Sequence, residues 1–409
     1  MKVALLDLKQ QNTALAPQLQ QAFQRVLDSG QFILGREVDE LEKSVAAVVE
    51  AKYALGVSSG TDAILLALMA LGIGHGDEVI CPSFTFFATA GCIARSGAKP
   101  VFADSCPVCF NLDVEDAARR ITPRTKAIMP VHLFGQAAEM DGVMDLAKKH
   151  GIRVVEDAAQ ALGAGYRGRK LGSIGDFGTF SFFPSKNLGG FGDSGLLVTN
   201  DESLAGMARI MRTHGSKPKY FHKVVGGNFR IDPLLAALLA VKLPHLPEYT
   251  RGRKENAAYY TAGLSQIPGV MTTPLPDVNG NCSCGGACRD TNGGHILLPV
   301  ALPHTDHIWN QYTLRIRSAS PWKISGSPRD ALQQYLKARE IGSEIYYPKP
   351  MHQQECFAPP AGQTPEPLPV SEQLAAECLS IPIYPELKRE QADTVIDAIR
   401  DFVKENAEV

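Results

Sequence analysis

The sequence lacks the features of membrane proteins, disulfide-rich secreted proteins and nucleic-acid-binding proteins. No segment approaches the roughly 20 apolar residues of a membrane span, and charge interrupts the first nine positions before a signal core forms. Cysteine is sparse, and its odd number, nine, cannot all pair within one chain. Basic residues, 41 against 43 acidic ones, provide no global positive field. We therefore expect a cytoplasmic protein with reduced thiols, small-molecule substrates and no nucleic-acid or membrane partner.

What the sequence contains is a typical globular composition with a regular alternation of elements. The chain is 44% hydrophobic and 21% charged, and 409 residues are too many for one small core. Strand candidates occur at residues 54–57, 78–81, 100–103, 127–131, 153–156, 178–182 and 196–199. Segments of helical period lie among them at 61–71, 140–150 and 203–212. This alternation predicts an α/β fold with a mostly parallel seven-stranded sheet covered by helices.

A domain boundary is expected near residue 245. Pro244 and Pro247 punctuate the chain there, and a charged segment starts at Arg251. We therefore predict a large domain over 1–245 and a smaller α+β domain over 246–409. The smaller domain should contain a strand at 311–317 and helices at 328–339 and 388–405, with an irregular cysteine-containing insertion near 274–296.

Lys186 is the first candidate for covalent chemistry. It follows the apolar run 180–185, where burial would lower the pKa of its amine and favour a nucleophile. Pyridoxal phosphate needs such a lysine, an acid opposite its pyridine nitrogen, an apolar wall on its ring and a small-residue pocket for its phosphate. A lysine on a surface loop after a strand is an equally good interpretation of this position alone.

The other three requirements also have candidates. Asp157 directly follows the predicted strand at 153–156, at a carboxyl end where ligands gather in parallel sheets, although it is also well placed to cap a helix. Gly60 and Thr61 stand where a strand gives way to an apolar helix, which suits an anion but also ordinary capping. Phe86 follows the next strand and is either the ring's aromatic wall or a core residue.

The order and spacing of these segments resemble the DegT/StrS family of sugar-nucleotide aminotransferases, which are fold-type I enzymes dependent on pyridoxal phosphate. The resemblance covers most of the chain. It is carried by residues 35–42, 58–63, 76–80, 82–86, 130–136, 156–160, 181–187 and 227–230.

The resemblance implies a role for each matched position. Lys186 would form a Schiff base with the cofactor and move the proton, Asp157 would pair with the pyridine nitrogen, and Gln160 would contact the region of the ring hydroxyl. Phe86 would stack on the ring. Gly60, Thr61 and Ser181 would bind the phosphate, together with Asn228 from the neighbouring subunit, so the resemblance also implies a homodimer with shared active sites.

The same resemblance indicates the substrates. Lys186 distinguishes aminotransferases from the dehydratase branch, where histidine replaces it; the amino donor would be glutamate and the acceptor a nucleotide-linked keto sugar. Gln311-Tyr312-Thr313 and Arg230 resemble enzymes that aminate C3 of UDP-linked 3-keto sugars, for cell-surface polysaccharide or amino-sugar biosynthesis. Arg230 would suit a carboxylate or diphosphate, or lie plainly on the surface. Tyr347 is also placed on the substrate side, although the family often has His-Tyr-Pro where this chain has Tyr346-Tyr347-Pro348.

Three other interpretations stay open from the sequence. Cys282, Cys284 and Cys288, with His295, could ligate zinc, but their spacing is not a standard pattern, and we expect a reduced loop without metal. Gly192-Asp193-Ser194-Gly195 matches the surroundings of a serine-hydrolase nucleophile, although the α/β pattern favours a tight turn. A non-catalytic, regulatory protein of the same fold is the third alternative.

Overall fold

The computed structural model describes residues 1–274, 294–358, 364 and 366–408, and within them fourteen strands and thirteen α-helices occur. The strands are β1 (Tyr53–Val57), β2 (Glu78–Pro82), β3 (Lys99–Ala103), β4 (Thr125–Ile128), β5 (Arg153–Asp157), β6 (Gly165–Tyr166), β7 (Arg169–Lys170), β8 (Phe177–Ser181), β9 (Gly195–Thr199), β10 (Val270–Thr272), β11 (Ile296–Leu298), β12 (Thr305–Asp306), β13 (Tyr312–Ile316) and β14 (Cys378–Ile381). The helices are α1 (Lys9–Ala14), α2 (Ala16–Ser29), α3 (Arg36–Val48), α4 (Gly60–Ala70), α5 (Phe87–Arg95), α6 (Val114–Arg119), α7 (Met140–His150), α8 (Glu202–Met211), α9 (Pro233–Lys242), α10 (Leu246–Leu264), α11 (Pro328–Ala338), α12 (Pro369–Glu377) and α13 (Arg389–Asn406).

Seven strands form the large sheet in the order β1-β9-β8-β5-β4-β2-β3. Pairing is parallel from β8 through β5, β4 and β2 to β3, whereas β9 runs antiparallel to both of its neighbours. Six strands therefore share one direction, and their carboxyl ends lie at one edge, where open parallel sheets place their ligands. The predicted α/β fold with a mostly parallel seven-stranded sheet is confirmed.

The strands of this sheet and the helices that pack on it are apolar, as burial of both faces of the sheet requires. Helix α4 is buried over six consecutive residues from Ala63 to Leu68, because it packs between the sheet and its neighbouring helices. Among the described residues, no helix is long and apolar enough to cross a bilayer.

A second, four-stranded sheet has the order β10-β11-β13-β14, and a three-stranded one has the order β12-β6-β7. The second sheet's core joins side chains of α10, α11 and α13 with Val3 from the N-terminus, which forms a bridge with Ile341. This smaller sheet-containing part agrees with the predicted α+β character of the C-terminal region. The division at residue 245 stays a prediction; α10 begins at Leu246.

The predicted elements overlap the observed ones, with differences at their ends. Each of the seven predicted strands overlaps a strand of the large sheet, and the largest error is at 127–131, where β4 ends at Ile128. The sequence predicted only β13 of the four strands in the smaller sheet.

Of the four candidate zinc ligands, Cys282, Cys284 and Cys288 lie outside the described residues. His295 lies within them, and its Nε2 donates to the carbonyl of Pro321 at 2.9 Å.

Candidate active site

A cavity of about 380 Å³ opens at the carboxyl-terminal edge of the large sheet. Strand β5 delivers Asp157 to it, β8 delivers Ser181, and the turn after β1 delivers the start of α4. Eight of the ten site residues predicted from the sequence line this cavity. They are Gly60, Thr61, Phe86, Asp157, Gln160, Ser181, Lys186 and Tyr347.

Lys186 lies in the turn that follows β8, where its N–H donates to the carbonyl of Phe183 at 2.9 Å. Burial lowers the pKa of its amine to about 8, and the nearby carboxylate of Asp157 offsets part of that effect. A fraction of the amine is therefore unprotonated near neutral pH. Lys186 is the only cationic side chain among the described residues that line the cavity.

Lys242 shows that burial alone does not identify a reactive lysine. Burial also lowers the pKa of its amine to about 8, but its Nζ donates to the carbonyl of Gly189 at 2.5 Å and does not reach the cavity. The two lysines differ in position. Lys186 lines the cavity, whereas Lys242 holds the loop that follows Lys186 in the chain, through the carbonyl of Gly189.

The carboxylate of Asp157 is buried at the end of β5 and is held by two donors. Thr89 Oγ1 donates to Oδ2 at 2.7 Å, and the N–H of Ala159 donates to Oδ1 at 3.2 Å. Burial raises the pKa of this carboxyl, while the hydrogen bond from Thr89, the N–H of Ala159 and the charge of Lys186 oppose that increase. No α-helix begins at residue 158, so the helix-cap interpretation of Asp157 is wrong, although its side chain does accept a nearby backbone N–H.

Thr89 is a contact that sequence reasoning missed. Its hydroxyl lies 3.1 Å from that of Thr85, and both residues are buried. Because the Thr89 hydrogen is donated to Asp157, Thr85 donates to Thr89, which makes a directed chain toward the carboxylate. The available signal was spacing, since Thr89 stands three residues after Phe86 and therefore on the same helical turn.

Gln160, Tyr347 and Phe86 form one contiguous wall. Gln160 Oε1 accepts the N–H of Phe134 at 2.6 Å, and its Nε2 donates to the hydroxyl of Tyr347 at 3.3 Å. The rings of Tyr347 and Phe86 are 6.0 Å apart between centroids. Phe86 is 55% exposed, so it is a wall of the cavity and not a core residue.

The start of α4 has the geometry of an anion site. Ser59 caps the helix by accepting the N–H of Asp62 at 3.0 Å, and the first N–H groups of a helix have no partner within it. Gly60 faces Ser181 so closely that a Cβ would lie 2.8 Å from the Ser181 Cβ. The absence of a side chain at Gly60 therefore lets β8 and α4 approach each other at the cavity floor.

Asn228 and Arg230 do not line this cavity. Asn228 is exposed and bridges Thr213 across a hairpin, while Arg230 bridges Val57 next to β1. The Nε of Arg230 is buried and has no hydrogen-bond partner among the described residues. Within one chain, these two predicted site residues are not brought to Lys186.

Two further predictions concern hydrolysis and metal binding. Ser194 lies in the cavity wall, but its buried hydroxyl has no partner in the described part of the chain, so no base contacts it and the hydrolase interpretation is wrong. No group of three metal-binding side chains occurs in the ranges that the structure describes. Gln311, named in the sequence analysis, also lines the cavity, as do Thr85 and Phe183, for which the sequence indicated no role.

Comparisons with known proteins agree on one family. The model of the DegT/DnrJ/EryC1/StrS aminotransferase family matches residues 14–400. A "pleiotropic regulatory protein" of Geobacillus stearothermophilus is 44% identical, with 99% of each chain covered. A "dTDP-3-amino-3,4,6-trideoxy-alpha-D-glucose transaminase" of Streptomyces venezuelae is 41% identical, with 98% of this chain and 97% of the relative covered.

Two more similarities bear on substrate and fold. A UDP-N-acetyl-3-dehydro-alpha-D-glucosamine 3-aminotransferase of Acidithiobacillus ferrooxidans is 40% identical, with 97% of each chain covered. The crystal structure of DesV from S. venezuelae superimposes with a TM-score of 0.86 at 41% identity, covering 98% of this chain and 99% of that one.

Proposed function

The chain belongs to the DegT/DnrJ/EryC1/StrS aminotransferase family, whose cofactor is pyridoxal phosphate, and from this premise we propose that it transfers the amino group of L-glutamate to C3 of a UDP-linked 3-keto sugar. The observation that carries the proposal is that Lys186, with its lowered pKa, and the carboxylate of Asp157 line the same cavity and interact through their charges. A lysine at this position favours amino transfer over the dehydratase alternative.

The residues that line the cavity fit the cofactor in their chemistry. When bound, pyridoxal phosphate supplies an aldehyde that takes up an amine and a ring that withdraws electrons. Lys186 would hold the cofactor covalently and carry the proton, and Asp157 would keep a negative charge beside the pyridine nitrogen. Gln160, already fixed by Phe134 and Tyr347, would contact the ring hydroxyl, and Phe86 would cover the ring.

The phosphate would lie at the start of α4. Gly60 and Thr61 offer backbone N–H groups at the positive end of the helix, and Thr61 and Ser181 add hydroxyls. The close approach of Gly60 to Ser181 supports this role, because a side chain at residue 60 would fill the floor.

Asn228 would complete the phosphate site from a second copy of the chain. Its exposure, and its position outside its own chain's cavity, support a homodimer with shared sites. The same hairpin exposes Tyr220, Phe221 and Val225, an apolar surface of the kind that a partner covers. Mixing two weakened variants, Lys186→Ala and Asn228→Asp, should restore activity in hybrid dimers, whereas strictly separate sites would give no recovery.

The sugar's position of amination and its nucleotide are supported to different degrees. Relatives at 41% and 40% identity are named for a dTDP-linked and a UDP-linked sugar, and both names specify amination at C3. The choice of UDP depends on Arg230 and Gln311-Tyr312-Thr313, and Tyr347 would contact the sugar. The reaction would serve amino-sugar or cell-surface polysaccharide biosynthesis, and a cytoplasmic location stays a prediction of the sequence.

An absorbance experiment tests the proposal directly. Purified protein loaded with pyridoxal phosphate should show a band of covalently attached cofactor, and L-glutamate should shift it to the band of the amine form. A panel of UDP- and dTDP-linked 3-keto and 4-keto sugars should then restore the first band, fastest with the UDP-linked 3-keto sugar. A band that glutamate leaves unchanged, or faster restoration by a 4-keto or dTDP-linked sugar, would contradict the corresponding part of the proposal.

A further inference from the structure

A pair of buried asparagines lies behind the cavity, at the residue next to Lys186. Asn310 Nδ2 donates to Asn187 Oδ1 at 2.8 Å, and Asn187 Nδ2 donates to the carbonyl of Ile308 at 3.1 Å. Asn187 is 5% exposed and Asn310 is 2% exposed. Two amides that are 123 residues apart in the chain are thus joined away from water.

The backbone of Asn310 is fixed to the opposite wall of the cavity. Its N–H donates to the carbonyl of Phe134 at 2.9 Å, and the N–H of Phe134 in turn donates to Gln160. Its carbonyl accepts Nη1 of the buried Arg253 at 3.1 Å. The next residue, Gln311, lines the cavity, so Asn310 connects the segments that present Gln160 and Gln311.

Packing around the pair leaves little room for these segments to move. A Cβ on Gly135 would lie 2.9 Å from Cγ1 of Ile308 and 3.0 Å from the nitrogen of Asn310. The Oδ1 of Asn310 is buried and has no partner among the described residues, so the amide of Asn187 is what orients this side chain. Losing that bond would leave further buried polar groups unpaired, which a folded protein strongly disfavours.

We propose that Asn187 is a positioning residue that fixes the amine of Lys186 relative to Gln160 and Gln311 through its hydrogen bonds to Asn310 and Ile308. The proposal depends on the proposed function only in taking Lys186 as the lysine that attaches the cofactor. Asn187 itself does not line the cavity, so its action is through the backbone it shares with Lys186.

Two forms of the cofactor separate positioning from a general structural role. Pyridoxal phosphate can attach to Lys186, whereas pyridoxamine phosphate carries no aldehyde and binds only through the other contacts. In Asn187→Ala, we expect affinity for the aldehyde form to fall at least about tenfold more than affinity for the amine form, since small misplacements of a reacting group are costly. Both dissociation constants are measured by titrating cofactor-free protein.

Asn310→Ala breaks the same bond while leaving the Lys186 loop unchanged in sequence. It should produce the same kind of selective loss, and the double variant should lose no more than Asn187→Ala, which also removes the bond to the carbonyl of Ile308. Equal weakening of both cofactor forms, or additive losses in the double variant, would overturn the positioning role. Wild-type protein that binds neither pyridoxal phosphate nor pyridoxamine phosphate would overturn both the proposed function and this proposal. The ratio of the two dissociation constants in wild type is the reference with which each variant is compared.

Discussion

The floor and the mouth of the cavity are built in different ways. At the floor, Asp157 is buried and Lys186 is half-buried; both have shifted pKa values and are held by hydrogen bonds within one chain. At the mouth, Phe86 and Phe183 are 55% and 51% exposed, and Arg230 does not reach the cavity at all. One chain therefore suffices to bring together the groups proposed for the cofactor's amine-binding and ring positions, whereas Asn228, proposed for the phosphate, and Arg230, proposed for the substrate, lie outside that chain's cavity.

The largest expected effect separates the two lysines whose pKa is lowered to about 8, Lys186 and Lys242. Lys186→Ala should abolish covalent attachment of the cofactor and reduce amino transfer by roughly 10²- to 10⁴-fold, the range for loss of a positioned proton carrier. Attachment is measured as cofactor that stays bound to unfolded protein after borohydride reduction. Lys242→Met is the matched control, because it removes a lysine of equally lowered pKa that lies outside the cavity.

The Lys242→Met protein should retain the reducible adduct. Retention of that adduct in Lys186→Ala, or its loss in Lys242→Met alone, would contradict the proposed assignment and move the attachment point to another lysine.

A smaller effect is expected one contact away from the cofactor. Thr89→Val removes the donor to Asp157 Oδ2 and should raise the pKa of that carboxyl further, because burial then acts with less opposition. A hydrogen bond to a charged group contributes roughly 1.5–3 kcal/mol, so we expect a rate loss of about 10- to 100-fold near neutral pH. Since Asp157 must be ionised, the acidic limb of the pH–rate profile should move to higher pH.

Thr85→Val provides the control for this change. It removes the hydroxyl that donates to Thr89 but leaves the bond from Thr89 to Asp157. The acidic limb should therefore shift less than in Thr89→Val. Identical pH profiles for wild type and Thr89→Val would show that this hydroxyl does not support the charge of Asp157.

The floor was also the part that the sequence predicted well. Asp157 and Ser181 end strands of a parallel sheet, and Gly60 follows one, so local pattern and strand direction were enough to bring them together. Lys242 could not be distinguished from Lys186 in this way, because each is a single lysine beside an apolar run of the sequence. Position relative to the cavity separates them, and position is a tertiary property.

Contacts between distant segments could not be predicted from the sequence, because they too are tertiary properties. Asn187 and Asn310 meet across 123 residues, and nothing in either local run indicates a partner. In the smaller sheet, β10 and β11 have only three residues each, too few for an alternation to be recognised, and their pairing depends on the larger core around them.

The pH dependence of cofactor attachment gives an intermediate test of the floor. Only the unprotonated amine attacks the aldehyde, so with the pKa of Lys186 near 8 the attachment rate should rise about tenfold per pH unit below that value and level off above it. Stopped-flow absorbance on cofactor-free protein measures this rate. In Asp157→Asn the pH midpoint of attachment should fall, because the negative charge of Asp157 raises the pKa of Lys186 in the wild type. A wild-type midpoint above about 10, the pKa of an exposed lysine, would contradict the conclusion that burial lowers the pKa of Lys186.

The smallest expected effect tests the mouth. Arg230 carries a buried Nε without a partner among the described residues, an unsatisfied donor that a substrate group bound beside it would pair. Arg230→Ala should raise the KM for the keto sugar about two- to fivefold, the range for a partly exposed ion pair, with the affinity for pyridoxal phosphate unchanged. Arg230→Lys should recover part of the loss, because it restores the charge but not the bidentate geometry.

Two UDP sugars that differ only in a carboxylate at C6 distinguish the possible contacts of Arg230. A loss confined to the carboxylate-bearing sugar assigns Arg230 to that carboxylate, and an equal loss for both sugars assigns it to the diphosphate. If Arg230→Ala weakened the binding of pyridoxal phosphate as well as raising the KM, Arg230 would belong to the cofactor site at the floor. The distinction between floor and mouth would then not hold for this residue.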